Sequence, residues 1–349
     1  MRITIIRFSA LGDCILLCPF ISHLKTHGAS QVSVITKRSY MELFAAAHGV
    51  DRVIALDREA GIRGLAQIIR AHRGEDSVVI DAHASTRSHL LSIGLGGAAA
   101  RIGKYYTEKL GLILFKRMRT IPSVTRRYSA LGKALDFPPM GANPWLDDDG
   151  SMLEVFDIPE GARVKIDSYL RGIDKPIVAM APGSRWPMKR WGIEKYAELA
   201  RRITMTHDCH VVLLGDETEA RWAEPVAASL GRRGTNLVGR ASIMETAAAI
   251  QQATAFVGND SGLMHLSEAV GVPVIALFGP TVKAFGYYPS LDASKVIERD
   301  ISCRPCSRNG GRPCPKKTQE CLTAIPVELV EEAFSDLFAG RGPARYVQN

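Results

Sequence analysis

The feature that most constrains this chain is a repeated alternation of short, β-rich apolar runs with helical patterns. In the first half, helical patterns separate each strand-like run from the next. Such a βαβα order predicts a parallel sheet with helices on its faces. The predicted strands are residues 2–8, 32–36, 53–56 and 78–82, and the predicted helices are residues 12–26, 40–47, 64–71 and 87–95.

The alternation stops in a Pro-, Gly- and Asp-rich stretch at residues 137–150 and restarts after Pro176. The second series has predicted strands at 177–181, 210–214, 255–257 and 274–278, with helices at 193–203, 218–230, 242–252 and 263–270, and a terminal helix at 326–339. We therefore predict an α/β protein with two Rossmann-like doubly wound domains facing a central cleft. The expected domains are residues 1–165 and 176–325, followed by a C-terminal helix and tail at 326–349.

Charge and hydropathy restrict the classes of partner that we expect for this chain. The 349-residue chain has a net charge of +8, which favours anionic ligands, although a mildly basic surface without a specific partner fits equally well. No Lys/Arg block interleaved with aromatic residues indicates nucleic acid, so we expect no nucleic-acid partner. No apolar stretch approaches the roughly 20 residues that span a bilayer, and the run after Met1 is too short for a signal peptide. These features predict a cytoplasmic protein.

Small polar residues follow the predicted strand at residues 255–257. Asp260 and Ser261 could bind hydroxyl groups of a ligand, and a helix that starts at about Gly262 would present unpaired N–H groups to a pyrophosphate. Asp260 or Ser261 could instead simply cap that helix. His265 lies one turn into the same helix, and Thr281 follows the next strand in a Gly-Pro-Thr turn.

Two further loops end strands of the second domain. Ser184, Arg185 and Lys189 follow the strand at 177–181 and could bind phosphate, or they could belong to a solvated basic loop. Glu217 follows the strand at 210–214, where a carboxylate could accept hydrogen bonds from a ribose or could complement the helix dipole.

In the first domain, Asp13 follows the first strand, in a segment that lacks the complete Gly-x-Gly-x-x-Gly pattern of dehydrogenases. A carboxylate there could act as a general base toward an acceptor hydroxyl, or cap the first helix. Asp81, His83 and Arg87 end the fourth strand and are candidates for holding an anionic acceptor, although His83 could equally be a packed residue.

Four of the seven cysteines lie close together in the late part of the chain. Their spacing is compatible with a tetrahedral thiolate site for a structural zinc or another metal, in a loop rich in Pro and Gly. Free thiols are the alternative, since disulfides are disfavoured in the cytosol. These residues are Cys303, Cys306, Cys314 and Cys321.

Three of these segments together resemble glycosyltransferase family 9, the lipopolysaccharide heptosyltransferases. The resemblance rests on residues 5–13, on residues 182–191, and on residues 258–266 continued by 271–281. It implies a GT-B fold and an inverting transfer from ADP-L-glycero-D-manno-heptose to an acceptor in the lipopolysaccharide inner core, without a catalytic metal. The open alternatives are a family relative that uses another nucleotide-sugar donor and a non-catalytic nucleotide-sugar-binding protein.

The resemblance also implies roles for single residues. Asp13, in the acceptor-binding N-terminal domain, would deprotonate the acceptor, and Lys189 would neutralise the departing diphosphate. In the C-terminal domain the donor-binding set would be Ser184, Arg185, Glu217, Asp260, Ser261, Gly262, His265 and Thr281. The expected partners are an ADP-sugar donor and an anionic lipid-linked oligosaccharide acceptor, with peripheral contact at the cytoplasmic face of the inner membrane.

Overall fold

A computed structural model describes residues 1–57, 61–75, 77–116, 121–147 and 149–341. It divides into two compact units. Unit 1 comprises Met1–Tyr106 and Pro122–Asp157, and unit 2 comprises Thr107–Ile121 and the chain from Ile158 onward. The short segment Thr107–Ile121 therefore packs with unit 2, although unit 1 flanks it on both sides in the sequence.

Unit 1 contains a five-stranded parallel sheet in the order β3-β2-β1-β4-β5. Buried aliphatic residues of its central strands, such as Ile5 and Val34, form the centre of the core. The strands are β1 (Arg2–Ile6), β2 (Gln31–Lys37), β3 (Arg52–Leu56), β4 (Val78–Asp81) and β5 (Ala98–Arg101), and the helices are α1 (Leu11–Ile15), α2 (Cys18–Thr26), α3 (Met41–Ala45), α4 (Gly61–His72), α5 (Thr86–Gly94) and α7 (Val124–Lys133).

Unit 2 contains a six-stranded parallel sheet in the order β11-β10-β9-β6-β7-β8. Helix α6 (Tyr106–Phe115) belongs to this unit from its second residue onward. The strands are β6 (Ile177–Ala181), β7 (His210–Leu213), β8 (Gly234–Asn236), β9 (Ala253–Asn259), β10 (Val274–Phe278) and β11 (Lys295–Glu298), and the other helices are α8 (Glu160–Leu170), α9 (Ile193–Thr206), α10 (Ala220–Leu230), α11 (Ile243–Gln251), α12 (Gly262–Ala269), α13 (Glu320–Thr323) and α14 (Val327–Arg341).

Both sheets reverse their strand order at one place. In unit 1 the reversal lies between β1 and β4, and in unit 2 it lies between β6 and β9. In open α/β sheets, ligands bind outside the carboxyl ends of the strands at this switch point, because the two following loops diverge there. The fold thus singles out the loops after β1 and β4 and those after β6 and β9.

The first predicted helix, residues 12–26, is wrong as a single element. The structure has two helices there, α1 and α2, and Pro19 stands in the first turn of α2. Proline lacks the N–H that a continuous helix needs and starts a helix more readily than it continues one. None of the helices within the described ranges is long and apolar enough to cross a membrane.

Candidate active site

The switch point of unit 2 holds a buried ion pair. Lys189 Nζ lies 2.5 Å from Asp260 Oδ2, and the two side chains are 12% and 7% exposed. Lys189 follows β6 and Asp260 follows β9, so the two strands at the reversal supply one charge each. Thr281, after β10, donates its hydroxyl to the same Asp260 oxygen at 2.6 Å. Three residues predicted to bind the donor or its diphosphate are therefore in direct contact.

Asn259 fixes the loop that carries Lys189. Its Oδ1 accepts a hydrogen bond from the Trp191 backbone N–H at 3.1 Å, and its Nδ2 donates to the carbonyl oxygens of Pro182 and Gly183 at 3.0 and 2.9 Å. The side chain is fully buried, so each of these bonds is protected from water. Sequence reasoning did not assign Asn259 a role, because only the folded sheet brings residues 182–191 beside it.

Helix α12 begins with backbone donors that no side chain of its cap residue satisfies. Ser261 occupies the N-cap position and makes no side-chain capping bond, and its buried hydroxyl has no hydrogen-bond partner among the described residues. The interpretation of Ser261 as a simple helix cap is therefore wrong. Gly262 starts the helix, and His265 lies buried on it with its ring 6.3 Å from that of Tyr287.

Ser184 and Arg185 point in different directions. Ser184 is buried, and its carbonyl accepts a hydrogen bond from Arg190 Nε at 2.8 Å, while the Arg190 guanidinium stacks 4.4 Å from the Trp222 ring. Arg185 is exposed, with its guanidinium 5.4 Å from the Trp186 ring. Ser184 thus lies inside the loop that carries Lys189, whereas Arg185 lies on its outer surface.

The carboxylates after β7 lie in different surroundings. Glu217 is exposed in a short 3-10 helix, and Asp216 caps that helix by accepting from the Thr218 N–H at 2.8 Å. Glu219 turns inward instead: its Oε2 accepts from the Asp216 N–H, and it packs against Gly183. Burial, and next the charge of Asp216, raise the pKa of Glu219. The Asp-x-x-Glu capping-box pattern was the available signal for it.

The late cysteine-containing segment packs against the loops of this site. Arg304 donates to the carbonyl oxygens of Gly279 and Thr281, and Gln319 Nε2 donates to that of Arg190 at 3.0 Å. Gly310 lies against Lys189: a Cβ atom at Gly310 would stand 2.8 Å from Lys189 Cγ. Residues 303–321 therefore support the loops of Lys189 and Thr281 from outside.

The predicted four-thiolate metal site finds no support in this segment. Across the described parts of the chain, no group of three or more His, Cys, Asp or Glu residues is arranged to hold a metal ion. Cys303, Cys306, Cys314 and Cys321 are all described and are all free thiols. Cys321 is buried at α13, and the Cys314 sulfur accepts the backbone N–H of Gln319.

In unit 1, the switch point positions Asp13. Arg7 Nη2 lies 2.7 Å from Asp13 Oδ2, and the Ala10 backbone N–H donates to the same oxygen at 3.2 Å. Tyr128 donates its hydroxyl to the Asp13 carbonyl at 2.9 Å. Asp13 keeps 20% of its side chain exposed, whereas Arg7 is buried. Arg7 was not predicted as a site residue, although a charged residue at the end of an apolar strand was a visible signal.

The predicted acceptor residues take three different positions. Asp81 is fully buried and accepts from the His83 and Ala84 N–H groups and from Arg101 Nε. His83 packs against Phe8, with ring centroids 5.0 Å apart, and burial, then the nearby charge of Arg7, lower its pKa to about 4. Arg87 is exposed in the first turn of α5.

Lys104 joins this constellation without having been predicted. Its pKa is lowered by burial and by the positive charge of Arg7, and the carboxylates of Asp13 and Asp81 act in the opposite direction. The switch point of unit 1 therefore combines a partly exposed carboxylate with several cationic groups, an arrangement suited to an anionic ligand.

Both units place charged groups at switch points, and unit 2 adds a helix N-terminus beside a buried lysine. This combination is typical of the doubly wound α/β proteins that bind nucleotides. The model of glycosyltransferase family 9 (heptosyltransferase) matches residues 65–316. The chain belongs to this family.

Relatives and solved structures agree with the family. The lipooligosaccharide heptosyltransferase 2 of Haemophilus influenzae is 30% identical over 235 residues, which cover 62% of this chain and 63% of that protein. The match thus spans just under two thirds of that curated relative. The lipopolysaccharide heptosyltransferase 2 of Salmonella typhimurium is 32% identical over 167 residues, 46% of this chain and 47% of that protein.

Among solved structures, the family 9 glycosyltransferase of Veillonella parvula superposes with a TM-score of 0.78 at 21% identity, covering 96% of both chains. The E. coli ADP-heptose LPS heptosyltransferase II superposes with a TM-score of 0.72 at 22% identity, covering 98% of this chain and 99% of that one. These likenesses and the two strand orders confirm the predicted fold class, a GT-B-type protein with two doubly wound domains.

Proposed function

We propose that this protein is an inverting heptosyltransferase that moves a heptose from ADP-L-glycero-D-manno-heptose to an acceptor in the lipopolysaccharide inner core. The observation that carries the proposal is the cluster of Lys189, Asp260 and Thr281 beside the uncapped N-terminus of α12. Family membership and the likeness to an ADP-heptose LPS heptosyltransferase support the choice of donor.

In the proposed reaction, the acceptor oxygen attacks the anomeric carbon of the donor sugar. The bond from that carbon to the diphosphate oxygen breaks, and its electron pair leaves with the diphosphate. Lys189 and the N–H groups at the start of α12 stabilise the developing negative charge without a divalent ion. Asp13 takes the proton of the attacking hydroxyl.

The ion pair of Lys189 with Asp260 implies an exchange of partners during donor binding. When the donor binds, the Lys189 ammonium pairs with the diphosphate instead of with Asp260. Asp260 then becomes available as an acceptor for hydroxyl groups of the donor sugar. The Ser261 hydroxyl, which is buried without a described partner, is a second group for that sugar or for the diphosphate. Arg7 keeps Asp13 oriented and favours its charged form, which is the form that accepts a proton.

The test measures the nucleoside diphosphate released from ADP-heptose, ADP-glucose, UDP-glucose and GDP-mannose with a core oligosaccharide as acceptor. We expect release from ADP-heptose, together with a product of inverted anomeric configuration by NMR. Release from another donor only would identify a family relative with a different substrate. Donor binding without release from any donor would overturn the proposal and favour a non-catalytic binding protein.

A further inference from the structure

The Gly-Pro-Thr turn that follows β10 is held in place from outside its own strand. All three of its backbone carbonyl oxygens accept hydrogen bonds from the late cysteine-containing segment. Arg304 Nε donates to the carbonyl oxygen of Gly279 at 2.5 Å, and Arg304 Nη2 donates to that of Thr281 at 2.8 Å. The Cys306 N–H donates to the carbonyl oxygen of Pro280 at 3.3 Å. The backbone position of Thr281 is therefore fixed mainly by Arg304.

Arg304 is a buried charge with a planar set of donors. Its side chain is only 6% exposed, and its Nη2 pairs with Glu298 of β11 at 2.5 Å. Its Nη1 donates to the carbonyl oxygen of Arg299 at 2.6 Å. The guanidinium thus binds one carboxylate and three carbonyl oxygens at the same time. A compact lysine ammonium cannot match this fork, so the arrangement requires an arginine.

Thr281 shares one oxygen atom with Lys189. Thr281 Oγ1 donates to Asp260 Oδ2 at 2.6 Å, and Lys189 Nζ lies 2.5 Å from the same oxygen. The hydroxyl donor offsets part of the negative charge that would otherwise act on the lysine ammonium. It also leaves the buried carboxylate with a hydrogen bond when the ammonium moves away, and a buried carboxylate without a partner is strongly disfavoured. The Thr281 hydroxyl therefore makes it easier to move Lys189 from Asp260 to a diphosphate.

We propose that Arg304 is a positioning residue for diphosphate binding. It fixes the backbone of Thr281 and thereby keeps the Thr281 hydroxyl on Asp260 Oδ2, which eases the release of Lys189 toward the diphosphate of a nucleotide. Arg304 acts through Thr281 and needs no contact with the nucleotide. The proposal rests on the proposed function in one respect, because it takes Lys189 as the residue that binds the diphosphate.

The test is a double-mutant cycle of Arg304→Gln and Thr281→Val, with the affinity for ADP measured by titration calorimetry. Valine has nearly the shape of threonine but lacks the hydroxyl. We expect each single variant to bind ADP about tenfold more weakly, because both variants lose the same hydrogen bond to a charged group. The double variant should also bind about tenfold more weakly, rather than about a hundredfold, since residues that act through one contact do not have additive effects.

Two further variants separate positioning from charge and from folding. Arg304→Lys keeps the positive charge beside Glu298 but lacks the fork, so it should still weaken ADP binding, by more than about threefold. Arg202→Gln removes the same charge from unit 2, at an arginine that pairs with three glutamates of α9 and α14. Its affinity for ADP should stay within about twofold of wild type. If Arg304→Gln does not fold, the cycle is repeated with Arg304→Lys.

An Arg304→Gln variant that binds ADP like wild type would overturn the proposal. So would a loss of about a hundredfold in the double variant, wild-type affinity in Arg304→Lys, or equal losses in Arg304→Gln and Arg202→Gln. A wild-type protein that does not bind ADP would overturn it as well. These affinities need no acceptor and no turnover. Failure of the proposed function would instead appear as a wild-type protein that binds ADP and obeys the cycle but releases no nucleoside diphosphate from any donor.

Discussion

At the scale of single residues, Asp13 is the side chain on which the proposed chemistry depends most. It is held by Arg7 and by the Ala10 N–H, yet one fifth of it remains accessible. Asp13→Asn keeps the shape but removes the basic oxygen, so we expect kcat to fall by about 10²- to 10⁴-fold. ADP binding should persist, because the residues that are predicted to bind the diphosphate lie in unit 2.

The measurement is steady-state release of ADP together with calorimetric binding of ADP. Asp57→Asn is a matched control in unit 1, since Asp57 also pairs with an arginine, Arg38, but at an exposed position. Undiminished kcat in Asp13→Asn, or an equal loss in Asp57→Asn, would remove the assignment of Asp13 as the base.

His83 should make unit 1 sensitive to mild acid. Its folded-state pKa of about 4 lies below the ordinary histidine value of 6.5, because burial and Arg7 disfavour the charged ring. Between these two values the unfolded chain binds a proton that the folded chain does not bind, so stability falls as the pH drops from about 6.5 toward 4. At pH 5 we expect this group to cost about 1–2 kcal/mol relative to pH 7.

His83→Gln should reduce the drop in thermal midpoint between pH 7 and pH 5. The control is His89→Gln, which changes an exposed histidine of α5. If the thermal midpoints of His83→Gln and wild type fall by the same amount between these two pH values, His83 is not the group that causes the loss of stability in acid.

At the scale of elements, the segment 303–321 should influence the chemistry without touching substrate. Gly310 has φ +77° and lies against Lys189, while Gly172 has nearly the same backbone, φ +79°, with open space around it. Alanine at either position strains the left-handed backbone by about 1 kcal/mol. Only Gly310→Ala also pushes on the Lys189 side chain.

We therefore expect both glycine variants to lose similar stability in thermal unfolding, and only Gly310→Ala to weaken ADP binding, by about tenfold. Titration calorimetry measures the affinity of each variant for ADP. Equal ADP affinity in both would show that the segment does not position Lys189.

The central strands and the central polar groups of unit 2 were predictable, and the peripheral ones were not. The buried strand β10 is an uninterrupted apolar run and β9 contains a shorter one at residues 255–257, so the following residues Asp260 and Thr281 could be placed at one sheet edge. The edge strands β8 and β11 are short and only partly buried, and they show no apolar pattern that would predict a strand.

Residues that act through tertiary contacts were missed for a related reason. Asn259 bonds to backbone atoms nearly 80 positions away, and Glu219 takes its role from packing on Gly183. The sequence immediately around Asn259 or Glu219 does not indicate such distant partners. Pro19, by contrast, was a readable signal for the break between α1 and α2.

At the scale of the whole molecule, the chain passes from unit 1 to unit 2 and back before it enters unit 2 for good. Helix α6 should therefore respond to ligands of unit 2 rather than follow its sequence neighbours. We expect ADP to slow hydrogen exchange in residues 107–115 together with the segment at 303–321, because Lys116, next to the end of α6, bonds to the carbonyl oxygens of Cys303 and Pro305.

Mass-spectrometric hydrogen exchange with and without ADP measures this. Peptides from α5 and α7, which flank α6 in the sequence but belong to unit 1, serve as internal references. Protection that appears at residues 303–321 while α6 behaves like α5 and α7 would contradict the expected coupling.

The membership of α6 in unit 2 also has a consequence for biosynthesis. A ribosome adds about 5–20 residues per second, and Phe285 follows Lys109 by 176 positions in the chain. Helix α6 therefore leaves the ribosome roughly 10–35 s before Phe285 and Tyr287, whose rings contact Lys109, are synthesised. During that interval Lys109 and Leu112, which are buried in the finished protein, are without their native neighbours. The nascent chain is therefore the form in which this side of α6 is most exposed to aggregation.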